Sequence, residues 1–273
     1  MSGTLREGIR LAVGTLTRLP VPPPERIDQR VAGVAMTLAP LVGLGLALMV
    51  GVPMAALAWA MAGSSSAATG ILLAALAVGC LAWLTRGLHL DGLADLADAL
   101  GSGKPADQAL AIARRSDIGP FGTLALVLAL LLQSAALALA LAHGAGLAAL
   151  AVAVVSARLG LTWACTPRWR PARPDGLGAT VAQSTSVLGA SLLSVALLCL
   201  AGALGWLLIG NALGGLALVA GVIAALLAAH LVCRTAERRL GGVTGDVLGA
   251  AVEWSTTASL VVSAILVSLA AQP

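Results

Sequence analysis

The sequence predicts an all-α fold, a polytopic transmembrane helical bundle of about seven spans (roughly six to eight) with an N-terminal interfacial amphipathic helix. Composition is the first ground. Of 273 residues, 59% are apolar and 10% are charged, where a soluble domain carries about 25% charged residues. With a mean hydropathy of +0.98, a soluble globular enzyme, a disordered chain and a nucleic-acid binder working in water are all excluded. The second ground is residue size. Gly supplies 32 residues, and there are no Tyr, one Phe and six Trp. Small residues suit helices whose backbones approach closely in lipid. The alternating segments and aromatic girdles of a membrane β-barrel are missing.

Taken in order, residues 1–24 form the interfacial segment. Leu5, Ile9, Ala12 and Leu16 share one helical face, Arg6, Glu7 and Arg10 lie elsewhere, and the Pro-rich stretch at 20–24 ends the helix. No apolar core followed by a small-residue cleavage site is present, which argues against a signal peptide. The apolar stretch 31–63 is too long for one ordinary span and too short for two, and Pro53 interrupts it. One long or kinked helix is expected there, with a re-entrant second half as the alternative. Further spans are expected near 67–84, 119–142, 145–164, 187–209, 212–232 and 251–271. The chain reads as a single integral membrane domain over 1–273, with polar loops at 85–118, 165–186 and 233–250. Cys80, Cys165, Cys199 and Cys233 are far apart in sequence and read as small hydrophobes, not as a disulfide or zinc framework.

Charge draws the topology. The 16 Lys and Arg fall within 1–30, 86–115, 168–173 and 234–239, with Arg158 alone inside a span. The connections at 63–66, 143–146 and 210–215 hold no Asp, Glu, Lys or Arg. Each charged loop is separated from the next by a pair of spans, so all lie on one side. The Lys and Arg excess makes that side cytoplasmic, with the chain a multi-pass protein of the cell membrane. A transporter would be expected to place ionisable residues near the midplane. Chemistry is expected instead at the cytoplasmic surface.

The densest polar cluster runs from Arg86 to Leu100, with Asp91, Asp95 and Asp98 at i, i+4 and i+7. On a helix these share a face. Like charges on one stripe repel unless a cation sits among them, and carboxylates without His or Cys favour a hard ion such as Mg²⁺. A solvated helix face is the plainer alternative. A second cluster runs from Arg234 through Gly241, Gly242, Thr244, Gly245 and Asp246 to Glu253. Its glycines free the backbone to cradle phosphate. Asp246 and Glu253, seven apart, share a face that could hold a second ion. Arg114 and Arg115 offer planar donors suited to phosphate. Arg168, Arg170, Arg173 and Asp175 form a fourth loop, whose arginines either steer an anionic substrate or only obey the orientation rule. Arg158 needs an anionic partner, either a carboxylate or a substrate phosphate. His89, two residues before the aspartates, is a candidate substrate contact. No P-loop and no Ser-His-Asp or Cys-His arrangement is apparent.

Metal ions held by acidic helices beside arginines are apparatus for phosphoryl transfer. CDP-alcohol phosphotransfer on a lipid is one such chemistry, but its Asp-x-x-Asp-Gly pattern differs from the Asp-Gly-x-x-Asp-x-x-Asp found here. A non-enzymatic alternative is a permease for a corrinoid or small anion. The chain resembles the cobalamin synthase family, the adenosylcobinamide-GDP ribazoletransferases, over most of its length. The likeness lies in Thr17-Arg-Leu-Pro-Val-Pro, Pro40-Leu-Val-Gly, His89-Leu-Asp-Gly-Leu-Ala-Asp-Leu-Ala-Asp, Ile118-Gly-Pro-Phe-Gly, Asp175-Gly-Leu-Gly, Gly241-Gly-Val-Thr-Gly-Asp-Val-Leu-Gly-Ala and Glu253. One segment departs: the family commonly reads Arg-Asp-Ser-Arg where this chain has Arg114-Arg-Ser-Asp117.

The resemblance implies Mg²⁺-dependent joining of adenosylcobinamide-GDP with α-ribazole or its 5′-phosphate, releasing GMP. On that reading Asp91, Asp95 and Asp98 are expected to hold Mg²⁺ on the diphosphate, and Asp246 and Glu253 to hold a second ion or orient the attacking hydroxyl. Arg114 or Arg158 would stabilise the leaving GMP, and His89, Gly241, Gly242, Thr244, Gly245, Arg115 and Asp175 would touch substrate. The implied partners are the corrinoid nucleotide and α-ribazole, the lipid bilayer, and a second copy or other cobalamin-assembly enzymes. Nucleic acid is not among them.

Overall fold

In a computed structural model the described residues are 2–61, 66–115 and 117–271, with Ser2 described by its backbone alone. They form helices, and the pairing of Pro171 with Val243 is an isolated parallel bridge. The helices are α1 (Ser2–Leu16), α2 (Gln29–Ala60), α3 (Ala67–Leu84), α4 (Leu88–Gly101), α5 (Ala106–Ile112), α6 (Pro120–Ala142), α7 (Gly146–Ala164), α8 (Gly176–Val181), α9 (Val187–Ile209), α10 (Ala212–Leu240) and α11 (Gly245–Ala270). Seven of them, α2, α3, α6, α7, α9, α10 and α11, are long and apolar enough to cross a membrane. The chain is a multi-pass membrane protein, as its composition requires.

The stretch around Pro53 is one helix, α2, with Pro40 and Pro53 both inside it. Its 32 residues span about 48 Å at 1.5 Å per residue. Asp28 starts it, its Oδ1 accepting from the amides of Arg30 and Val31 at 3.0 and 2.9 Å. The uncharged connection expected at 63–66 lies, apart from Ser66, outside the described residues.

The expected loop at 233–250 is mostly helix. The α10 helix continues through Arg238 and Arg239 to Leu240, and α11 begins at Gly245. Cations in a last turn complement the helix dipole, so α10 extends beyond its apolar run. Gly241, at φ +84°, ends it in the left-handed conformation. Thr244 then caps α11, its Oγ1 accepting from the Val247 amide at 3.3 Å.

At the centre, α7 packs against α2, α11, α10, α6 and α9. Polar side chains tie the helices together: Thr162 donates to Met36 O at 2.8 Å and Ser255 to Ala225 O at 2.8 Å. Trp59, Trp83 and Trp206 stand exposed near helix ends, the level at which indoles meet a membrane interface. Leu11, Ala12 and Leu16 of α1 are buried while Leu5 and Ile9 are exposed. The amphipathic face is thus shared between α2 and the surroundings. All four cysteines are free thiols.

Candidate functional site

The charged segments meet at one end of the bundle. Arg86 of the α3–α4 turn donates to Gly14 O at 2.7 Å. Arg114, just beyond α5, pairs with Asp175 at 3.0 Å, and Arg168 pairs with Glu237 of α10 at 3.0 Å. The segment 170–172 is stitched to the α10–α11 turn, Ala172 N donating to Val243 O at 2.9 Å and Val243 N to Arg170 O at 2.8 Å.

Two glycines set the geometry beneath. A methyl at position 92 on α4 would lie 2.8 Å from Asp246 O and 3.1 Å from Gly249 Cα. One at position 249 on α11 would lie 3.2 Å from Gly92 Cα. Here α4 and α11 touch backbone to backbone, which brings Asp91 beside the first turn of α11. Gly178 is equally close, its added methyl 2.7 Å from Thr244 Cα, so the α8 segment closes a third side.

The cleft between them, partly open to solvent, holds about 330 Å³, at the small end of ligand sites. Its wall includes Asp91, Asp246, Arg114, Arg173, Asp175 and His89, with Val243, Thr244 and Gly245 contributing the α10–α11 turn and the start of α11. Apolar Leu16, Met36, Leu161 and Val181 complete it. Asp91 and Asp246, from opposite halves of the chain, therefore share one small chamber with two guanidiniums.

The other residues singled out in sequence are distributed differently. Asp95 is half-buried one turn along α4. Burial first, then the charges of Asp91, Asp246 and Asp98, push its carboxyl up to about 6. Asp98 faces α6: its Oδ2 accepts from Gly119 N at 2.7 Å and its Oδ1 from Gly122 N at 2.9 Å. Both oxygens are engaged in capping that helix. Gly241 and Gly242 lie outside the wall; Gly242 packs on the backbone of Arg170 and Ala172. Arg115 and Asp117 are exposed and form no ion pair among the described residues; Ser116 between them is not described. Arg158 and Glu253 line a separate, smaller cavity deeper in the bundle.

His89 is 3% exposed and its Nε2 has no hydrogen-bond partner among the described residues. Burial, and next the charge of Arg158, hold its imidazole well below the usual range, so it is neutral. Arg173 could not be told from Arg168 and Arg170 by sequence. The structure singles it out: it lines the cavity, and its Nη2 donates to Leu110 O. Burial and neighbouring Arg114 lower its ordinary value, with Asp246 and Asp175 opposing. Among the described residues, no three His, Cys, Asp or Glu side chains are gathered closely enough to cage a metal by themselves.

Asp98→Ala should cost about 1–2 kcal/mol of stability by orphaning the α6 amides, and thermal melts of metal-free protein in detergent would show it; an unchanged melt would refute the cap. Asp95 titrates at about 6 in the fold against 3.8 in a free chain. Its charged form therefore costs stability above that pH, and the cost fades as pH falls toward 3.8. In metal-free protein, Asp95→Asn should raise the melting temperature at about pH 8 and do so much less at about pH 4. Equal shifts at both would contradict the assignment.

Comparison with known proteins gives the family. The family model described as cobalamin-5-phosphate synthase matches residues 8–264. The chain is 41% identical over 262 residues to an adenosylcobinamide-GDP ribazoletransferase of Frankia casuarinae, covering 94% of each chain. A protein of the same name from Nocardioides sp. is 41% identical over 260 residues, covering 94% of this chain and 97% of the relative. One from Mesorhizobium japonicum is 33% identical over 268 residues, covering 96% of this chain and 94% of the relative. No solved structure matches the chain. With the match running from α1 to α11 and the relatives alike over nearly their whole length, the chain belongs to the cobalamin-5-phosphate synthase family of enzymes.

Proposed function

We propose that the chain transfers the phosphoryl-cobinamide group of adenosylcobinamide-GDP to a hydroxyl of α-ribazole or its 5′-phosphate, giving adenosylcobalamin or its 5′-phosphate and GMP. The reading includes Mg²⁺ and places the charged end of the bundle in the cytoplasm at the cell membrane. The observation that carries it is the shared chamber of Asp91, Asp246, Arg114 and Arg173.

The donor set suits Mg²⁺. That ion prefers oxygen ligands and is usually held by one or two carboxylates plus substrate phosphates rather than by an all-protein cage. Asp91 and Asp246 would hold it, with Asp95 one turn behind. When bound, the ion neutralises phosphate charge and stabilises the leaving group.

The chain's own residues do the rest. Arg114 and Arg173 bind the diphosphate oxygens, and the N-terminal turn of α11 adds amides and a dipole that favour phosphate. Asp175, paired to Arg114, fixes that guanidinium in the chamber wall. Neutral His89, with an uncommitted ring nitrogen, contributes a hydrogen bond without adding charge. The ribazole hydroxyl attacks the phosphorus attached to cobinamide, its proton passes to a carboxylate of the cluster, and the bond to GMP breaks. A chamber of about 330 Å³ accommodates the diphosphate and an adjoining ring, leaving the corrin at the membrane surface.

The test is GMP release by purified protein in detergent, supplied with Mg²⁺, adenosylcobinamide-GDP and α-ribazole or its phosphate. Release that requires the ribazole acceptor supports the reading. No release with either acceptor, or CMP release from CDP-diacylglycerol instead, overturns it.

A further inference from the structure

Beneath the chamber lies a second cavity of about 20 Å³, lined by Arg158, Glu253, Gln133, Thr85, Thr256 and apolar neighbours including Leu90. None of its lining residues lines the larger chamber. The two are stacked along the same helices. On α7, Leu161 faces the chamber and Arg158, about one turn away, the small cavity; on α11 the corresponding pair is Gly249 and Glu253. On α4, His89 and Asp91 face the chamber while Leu90 between them faces the small cavity.

The chemistry of the small cavity is one-sided on each wall. Arg158 is 4% exposed, and its Nε has no hydrogen-bond partner among the described residues. Opposite, Glu253 Oε2 accepts from Gln133 Nε2 at 2.9 Å, and the same amide lies 3.1 Å from Thr257 Oγ1. Arg158 and Glu253 attract one another electrostatically, yet no direct ion pair within 4.0 Å joins them. A lone guanidinium or carboxylate at this depth would be expensive, and each compensates the other. A buried water needs about 10–15 Å³ and two to four polar partners. The cavity offers both.

We propose that one ordered water occupies this cavity and bridges the Arg158 guanidinium to the Glu253 carboxylate. The resulting neutral unit locks α7 to α11 and, through Gln133, to α6. It makes Arg158 and Glu253 positioning residues: they hold α11, and with it Asp246, at the register where it meets α4. Neither touches metal or substrate. The proposal draws on the transferase reading only for its activity arm.

The experiment compares Arg158→Met, Glu253→Gln and the double variant in purified full-length protein. Melting temperature is read without Mg²⁺ or substrate; kcat, KM and the Mg²⁺ requirement are read in the GMP-release assay. Each single variant strands a buried charge, so each should melt well below the parent and lose up to about a hundredfold in kcat through misplacement of the site. The double variant strands none and should recover most of both losses, with KM and the Mg²⁺ requirement near those of the parent. If a single variant cannot be recovered folded, the folded double variant still decides. A double variant that folds but stays as inactive as the worse single variant overturns the proposal. So does a roughly tenfold rise in the Mg²⁺ requirement of Glu253→Gln, which would put that carboxylate on the metal or directly against its ligands. The melting arm reads the charge pair even if the transferase reading fails.

Discussion

Asp91→Asn and Asp246→Asn are each expected to cut transfer about a thousandfold, the loss that follows when several kcal/mol of charge stabilisation at the phosphate disappear. Both side chains line the chamber, one from α4 and one from the first turn of α11. Neither makes a contact that the bundle depends on: Asp91 is exposed to the chamber, and the bond recorded for Asp246 comes from Thr244 at 3.2 Å. Removing either charge also relieves repulsion at Asp95, whose carboxyl both neighbours push up. The variants should therefore melt at or above the parent temperature when metal-free while losing activity. Measuring melts and GMP release on the same preparations checks this. A variant that keeps more than about a tenth of the parent rate would remove that carboxylate from the site.

Gly92→Val should be nearly as damaging without touching a charge. Its first added carbon would fall 2.8 Å from Asp246 O and 3.0 Å from Asp246 Cα, so α4 and α11 must separate. Overpacking of this kind costs about 1–3 kcal/mol of stability. A shift near 1 Å between reacting groups costs about a hundredfold in rate. The control is Gly45→Ala on α2, where an added methyl meets nothing within 4 Å; it should leave melting and rate unchanged. Equal behaviour of the two variants would show that the close approach of α4 and α11 does not set the site.

The sequence carried the spans well because a long apolar run has few alternatives in lipid. The charge-free connections were equally informative, since they paired the charged segments at one end. The site was legible as a set of motifs but not as a constellation, and the reason is geometric. Asp91, Asp95 and Asp98 share a helical face, yet seven residues of helix are about 10 Å long. The same holds for Asp246 and Glu253. Sharing a face gives direction and says nothing of depth. Asp98 therefore meets the amides of Gly119 and Gly122, and Glu253 meets Gln133, while Asp91 and Asp246 meet the chamber. Arg173 was hidden among three arginines of one loop, because only the packing of segment 170–178 against the α10–α11 turn selects it. The Gly92–Gly249 contact had no local signal at all, in a chain with 32 glycines.

Binding of Mn²⁺ in place of Mg²⁺, followed by its electron paramagnetic resonance spectrum in the presence of adenosylcobinamide-GDP, tests the two-helix carboxylate site most directly. The parent protein should bind the ion tightly only with the nucleotide present. Asp91→Asn and Asp246→Asn should each weaken that binding about 10- to 100-fold, and Glu253→Gln should leave it unchanged. Undiminished Mn²⁺ binding in either aspartate variant would contradict the account.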